Sequence, residues 1–388
     1  MTTTPPQHRL FTPAFIALGV AELAYFTAVG VPIYALPVYV TGPLGGDEAA
    51  AGVAYGAFAI SALALRPFAG RLSDRRGRLP LLIGGALVAA ASLALLAVAA
   101  NLVVVVLLRL LAGVAEAAFF VAAFAALADL APPSRMGEAL SYNSLGLYLG
   151  IAFGPPLGEI LVERWGFAAA WYGAAALAVV AAGLSLRVGE TRQSMPPADG
   201  PRRILHRPAI PIALGFVATL AASGGFLAFS SLHAHRIGLD PASLALLVYG
   251  GTVVVCRIAF ARIPDRLPSL PLAAASLAVM ALGIGIVAIW PAPAGMLVGV
   301  VVLAVGITFS TPAFFSAIFA TASPAERGTA SGTASAALDL GLGIGPILLG
   351  FLAEPYGIPW AFAAAAGVAL AGGAWTLHLA RRARPQAA

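Results

Sequence analysis

Gly70-Arg71-Leu72-Ser73-Asp74-Arg75-Arg76-Gly77-Arg78-Leu79-Pro80 sets four arginines and one aspartate between two long apolar runs. A basic stretch this short, between segments too apolar for water, reads as a cytoplasmic hairpin joining two membrane-spanning helices. It returns in weakened form 191 residues later, where Arg262-Ile263-Pro264-Asp265-Arg266 answers Arg71-Leu72-Ser73-Asp74-Arg75. The same offset joins Arg66 to Arg257, Pro133 to Pro324, Gly137 to Gly328 and Gly150 to Gly341. It also joins Gly154-Pro155 to Gly345-Pro346 and Gly166 to Gly357. So many identities at one ungapped spacing argue for two copies of one half-protein.

Composition agrees with a membrane protein. Of 388 residues, 60% are hydrophobic and 10% charged, whereas soluble domains carry about 25% charged residues. All 22 Lys/Arg positions are arginine. Without lysine there is neither a P-loop ATPase, which grips phosphates with Lys, nor a lysine Schiff base. Energy is therefore expected from an ion gradient or the substrate's own gradient, with no cofactor. The lone Cys256 excludes an internal disulfide. The net charge of +6 reflects membrane topology rather than nucleic-acid binding, because the arginines gather in membrane-side loops. Residues before Pro13 lack a cleavable signal pattern, so the first span is expected to stay as an anchor.

Apolar runs long enough to cross a ~30 Å hydrocarbon layer fall near 13–38, 50–69, 80–100, 102–127, 138–161, 167–186, 209–232, 242–261, 269–290, 294–319, 329–352 and 359–379. Only Arg164 and Arg236 lie at connections on the side opposite the termini, and Arg109 lies within a span. The positive-inside rule then places both termini in the cytoplasm of a multi-pass cell-membrane protein. The expected division is a first bundle over 1–186, a proline- and arginine-rich cytoplasmic linker over 187–208, and a second bundle over 209–388. Pro32, Pro37 and Pro312 are expected to bend their helices where neighbours re-satisfy the backbone.

The pattern Gly-x-x-x-Asp-Arg-x-Gly-Arg, met at Gly70, Asp74, Arg75, Gly77 and Arg78, resembles the signature loop of the major facilitator superfamily of secondary transporters. It departs at Leu79, where that family usually has another base. The resemblance implies an all-α membrane fold of twelve helices in two six-helix bundles related by a pseudo-two-fold axis along the membrane normal. It implies a cytoplasmic gate formed by this loop and its copy at Asp265 and Arg266. Asp74 is expected to face a neighbouring helix N-terminus and to pair with arginines when the path is closed to the cytoplasm. On the fifth span Gly146, Gly150, Gly154 and Gly158, with Pro155, resemble the glycine-proline motif of the family's antiporters. Close packing explains such a stripe equally well, and Gly341, Gly345 and Pro346 repeat it on the eleventh span.

Ionisable residues inside a membrane are costly and mark function. Glu22 lies near the midplane of the first span, Arg109 and Glu116 share a face of the fourth, and Asp339 lies mid-way along the eleventh. Arg109-x-x-x-Gly113-x-x-x-Ala117 resembles a fourth-helix motif whose arginine is implicated in proton coupling. An ionised carboxylate at this depth needs a cation, and losing that pairing on protonation changes which conformation is favoured. By the 191 offset Glu22, Arg109 and Glu116 correspond to Ala213, Val300 and Ile307. Coupling is therefore expected in the first bundle, with Glu22, Arg109 and Glu116 facing one cavity. A buried Arg–Glu pair that merely fixes helix register is the plainer alternative.

Asp129 and Glu138 are expected to pair with arginines near Arg135. Glu159 and Glu163 are read as solvated, and His233 and His235 as surface residues. Phe119, Phe120, Phe124, Phe309, Phe314, Phe315, Phe319, Tyr142 and Tyr148 are candidates to line an apolar path. The expected function is export of small amphipathic molecules by proton antiport, with a small-molecule substrate, protons and the bilayer as partners and a monomer as the unit. An importer or facilitator of a sugar, organic acid or siderophore is the alternative. A membrane enzyme lacks a metal-ligand cluster or a nucleophile–base pair, and a receptor has no need of a duplicated gate loop.

Overall fold

A computed structural model describes residues 10–132, 135–192, 205–260, 262–323 and 326–382. Pro133, Pro324 and most of the expected 187–208 linker lie outside them, as do the side chains of Glu138 and Asp265.

The first half comprises α1 (Pro13–Thr41), α2 (Glu48–Arg76), α3 (Leu79–Leu96), α4 (Leu102–Leu130), α5 (Met136–Trp165) and α6 (Phe167–Val188). The second comprises α7 (Ile210–Arg236), α8 (Leu244–Ala259), the four-residue α9 (Ile263–Arg266), α10 (Ser269–Ile289), α11 (Pro293–Phe319), α12 (Arg327–Tyr356) and α13 (Ile358–Arg382). The starts of α2 and α4 are fixed by side-chain caps: Asp47 accepts from Ala50 N at 2.7 Å, and Asn101 from Val104 N at 3.0 Å. Pro32 and Pro37 are buried within α1, which runs through both.

The signature stretch is less a loop than the sequence implies. Helix α2 continues through Arg76, so Gly70–Arg76 forms its last two turns and only Gly77 and Arg78 connect it to α3. Gly77 turns the chain at φ +99°, a conformation that disfavours a side chain. In the second half Pro264 stands where Ser73 does and cannot extend a helix. There α8 stops at Ala259, and Asp265 and Arg266 fall on the separate α9.

Among the described residues eleven helices are long and apolar enough to cross a membrane, and α8, with 16 residues, is a shorter apolar helix. At 1.5 Å per residue it covers roughly 24 Å. Helix pairing repeats between halves. Helix α1 packs on α5 and α6, α2 on α4, and α3 on α4 and α6. Correspondingly α7 packs on α12 and α13, α8 on α11, and α10 on α11 and α13. Each six-helix bundle meets the other along two related seams, α2 with α12 and α5 with α8. The described ends of the chain and the Gly70–Pro80 stretch share one face, here the termini face; the opposite face is the far face.

Candidate functional site

Midway along the α2–α12 seam, Arg66 reaches across to Asp339. Its Nε and Nη2 donate to the two carboxylate oxygens, the second bond at 2.8 Å. The pair is buried, with Arg66 9% and Asp339 2% exposed. Such a bidentate fork is the strongest arrangement a carboxylate can be offered here. The guanidinium also lies over the Phe120 ring, 4.5 Å from its centroid. Phe120 is on α4, so Arg66 ties three helices together. Sequence reading noted Arg66 only as a repeat landmark; its place at the mid-seam comes from the helix pairing.

Glu116 stands beside this pair. Its Oε2 accepts from the Tyr25 hydroxyl at 3.2 Å, and Tyr25 stacks on Phe119 at a centroid distance of 3.8 Å. Glu116 is one helical turn before Phe120, whose ring Arg66 covers. Arg109 is turned away: its Nε donates to the Ala54 carbonyl at 3.3 Å, and its guanidinium covers the Phe58 ring at 4.9 Å. Gly113 lets α2 approach this close, since a Cβ there would overlap the Phe58 carbonyl and the Ser61 hydroxyl. Ser61 spans the same contact by donating to the Leu110 carbonyl at 2.6 Å. A register-fixing Arg109–Glu116 pair is therefore not what forms. Glu22 is buried on the α1–α5 seam, where its Cβ lies 3.6 Å from the position of a Cβ on Gly146. The group seen around Glu116 is Tyr25, which bonds it, and the Arg66–Asp339 pair.

The related seam carries the related contact. Arg257, the counterpart of Arg66, donates from Nη2 to the Tyr148 hydroxyl at 3.1 Å and lies 4.4 Å from that ring's centroid. Tyr148 is 191 residues before Asp339. The two halves thus place an arginine on equivalent facing positions, one holding a carboxylate and the other a phenol.

Near the termini face, Arg78 organises the end of α2. It donates from Nη1 to Asp74 Oδ1 at 3.0 Å and to Ser73 Oγ at 3.2 Å, and from Nε to Asp129 Oδ2 of α4 at 3.2 Å. Asp129 therefore pairs with Arg78 rather than with Arg135, and it also accepts from Thr191 at 3.1 Å. The α3 N-terminus is capped not by Asp74, which is 51% exposed, but by Glu190. Glu190 accepts from Arg78 N at 2.9 Å and Leu79 N at 3.2 Å, and occupies the space a Cβ on Gly77 would need. Partial burial pushes its carboxyl up, but the amides of Arg78, Arg192 and Leu79, with the Arg192 charge, outweigh that and hold it below the ordinary carboxylate range. Arg75 and Arg266 are exposed, and nothing approaches Gly70 within 4 Å of a Cβ position.

The glycine stripe of α5 faces α1. Cβ positions on Gly150 and Gly154 fall 2.5 Å from Phe26 and 2.6 Å from Gly30, and one on Gly158 falls 3.0 Å from the Val31 carbonyl. Gly341 and Gly345 face α7 in the same way, and a Cβ on either would come within 2.5 Å of Leu220 or Ala221. Pro155 is buried, and the Pro346 carbonyl lies against Gly52 of α2.

At the far face Glu159 is 1% exposed, not solvated, while Glu163 is exposed. His233 is buried at 2% exposure, edge-on to Phe362, and only His235 is a surface residue. No cluster of metal-ligating side chains occurs among the described residues. What the mid-seam group can do chemically is exchange partners: a carboxylate that accepts a proton, or an arginine offered another anion, releases the tie between the halves.

Known proteins place this arrangement. The profile of the Major Facilitator Superfamily matches residues 18–341 and, again, 270–388. An uncharacterized MFS-type transporter of Salmonella typhimurium is 28% identical, covering 97% of this chain and 98% of that protein. One of Burkholderia mallei is 29% identical over 95% and 94%. Among solved structures, a bacterial homologue of the human lysosomal transporter Spinster, inward-facing and occupied, superposes with a TM-score of 0.78 at 15% identity, covering 95% of this chain and 96% of that one. The nucleoside transporter NupG gives 0.74 at 15% identity, over 95% and 99%. A duplicated six-helix bundle with the signature stretch at the end of α2, matched along nearly its whole length, makes this chain a member of the major facilitator superfamily, a multi-pass membrane transporter of small molecules and not an enzyme.

Proposed function

We propose that the protein exports small amphipathic molecules in exchange for protons, as a monomer in the cell membrane with its termini face in the cytoplasm. The observation that carries this is the buried Arg66–Asp339 pair, with Glu116 one helical turn from the Phe120 ring that Arg66 covers. A membrane-buried carboxylate tied across the seam between two moving halves is where one proton changes conformation most directly. Protonating Asp339 removes the charge that holds Arg66. Arg66 is then drawn to Glu116 or to substrate, and the α2–α12 tie loosens. The Phe120 ring beside Arg66 suits a substrate with apolar surface.

The test is transport of labelled amphipathic candidates into inverted vesicles, with and without a proton gradient. Asp339→Asn is expected to abolish uphill accumulation and leave downhill exchange measurable; Glu116→Gln is expected to weaken coupling less. Full gradient-driven accumulation by both variants would remove the cluster from coupling. Uptake rather than export is the second reading. It predicts accumulation in right-side-out vesicles instead.

A further inference from the structure

Toward the far face the two halves are sealed by unlike means along the two seams. On α2–α12 the seal is backbone on backbone. A Cβ on Gly52 would fall 3.2 Å from Gly350 Cα, and one on Gly350 would fall 2.7 Å from the Glu48 carbonyl. On α5–α8 Gly250 packs against Ala152 in the same fashion, with 2.6 Å between the Cβ position and the Ala152 Cβ. Beyond that contact the helices cannot zip further, because α8 starts late. Its first residue, Leu244, corresponds to Val53, five residues inside the start of α2. The recessed N-terminus leaves amide groups that need an acceptor.

Glu159 of α5 supplies it from the other half. Its Oε1 accepts from Ala242 N at 2.7 Å and its Oε2 from Ser243 N at 2.9 Å. The carboxylate is 1% exposed. Tyr34 of α1 and His235 of α7, joined at 3.2 Å, stand at the same end, as does the ion pair of Arg236 with Glu48. By the 191 offset Glu159 corresponds to Gly350, the residue that makes the backbone seal on the other seam. One carboxylate thus crosses each seam, at opposite depths: Asp339 midway on α2–α12, and Glu159 at the far end of α5–α8. Neither has a carboxylate twin, the equivalent positions being Tyr148 and Gly350.

We infer that Glu159 is the latch of the far-face gate: its carboxylate, docked on the α8 N-terminus, holds the α5–α8 seam shut, and it must undock each time the far face opens. Glu159 is a positioning residue for the transport cycle, with no substrate contact required. The inference needs only that the halves part at the far face during transport, so it stands or falls separately from proton coupling.

Spin labels on Trp165→Cys and Leu247→Cys, which are exposed side chains of α5 and α8, in a Cys256→Ala background, report the separation of the two helices at that face. The measurement uses detergent-purified protein and no ion gradient. In the labelled parent a short, narrow distance distribution is expected. Glu159→Gln, which keeps one acceptor oxygen but sets an amide NH2 against the second N–H, is expected to add a longer-distance population several-fold larger than the parent's. Glu159→Ala is expected to enlarge it further. Far-ultraviolet circular dichroism identifies which variants are folded. Folded Gln and Ala variants with the parent's distribution would overturn the latch. A variant that opens α5–α8 while gradient-driven transport proves not to use protons would still support it.

Discussion

A guanidinium spanning a seam in a membrane protein is held in place by what it would cost to strand it. Removing one partner of a buried ion pair costs roughly 3–5 kcal/mol, because the other charge is left without compensation. Arg66→Ala is therefore expected to destabilise the fold more than Asp339→Asn, since Asn keeps an acceptor for Arg66 whereas Ala leaves the Asp339 carboxylate alone beside Glu116. Thermal melts of the two purified variants check the order. Glu190 offers a gentler test on the termini face. Its carboxyl sits below the ordinary carboxylate range in the folded chain, so its contribution is present above the unfolded pKa and is lost as pH falls through the folded value. Glu190→Ala should lower the melting temperature at neutral pH, with the loss of an N-cap worth about 1 kcal/mol. The gap to the parent should close as the pH is taken below the carboxylate range. A gap independent of pH would leave Glu190 without an electrostatic role. None of these partners was legible in the sequence, because Glu190 and Asp339 lie 112 and 273 residues from the arginines they meet, and local spacing carries no sign of such pairings.

At the scale of helices, legibility was high wherever one segment decides its own state. The spans, their approximate ends and the equivalence of the two halves follow from apolar length and from the 191-residue repeat. Reading failed where a helix continues past the apolar run. The arginines of Gly70–Arg76 carry α2 about two turns past the expected end of its span, because nothing in that stretch breaks a helix until Gly77. It also failed for Glu159, whose burial depends on how late a helix of the other half begins. The glycines divide by what they touch. Gly154 meets Gly30 backbone at 2.6 Å, so Gly154→Ala forces α1 and α5 apart and should cost about 1–3 kcal/mol, as overpacking does. Gly70, inside α2 with open space where its Cβ would be, should gain about 0.5–1 kcal/mol of stability as Gly70→Ala. If Gly70→Ala stabilises the purified protein yet slows transport, its glycine serves a conformation other than this one. If both properties are unchanged, the glycine at that motif position has no role in this protein.

At the scale of the whole molecule, the far-face contacts across the seams give an expectation of which way the path opens. Toward the far face there are backbone contacts on both seams, the Glu159 cap, the Tyr34–His235 bond and the Arg236–Glu48 pair. Toward the termini face the bridging contacts that remain are long side chains, Arg66 to Asp339 and Arg257 to Tyr148. Among the contacts seen beyond them, Arg78 joins Asp74 and Asp129 within one half. The far-face seals lead us to expect a resting path open toward the termini. Two single-cysteine reporters on α12 test this in a Cys256→Ala background. Ser335, one helical turn from Asp339 on the same face, lies on the termini side of the mid-seam tie. Ile347 lies on the far side, packed against the Gly56 position at 2.9 Å. With a membrane-impermeant maleimide, Ser335→Cys should react in inverted vesicles and Ile347→Cys should stay protected in right-side-out ones, with rates differing by at least an order of magnitude. The reverse pattern would mean that the far face is the open one in the membrane. Reaction of Ser335→Cys only in right-side-out vesicles would instead place the termini outside the cytoplasm, against the arginine distribution. Adding Glu159→Gln to the Ile347→Cys reporter joins this test to the latch, because unlocking α5–α8 should expose a residue buried in the other seam only if the two halves move as rigid bodies.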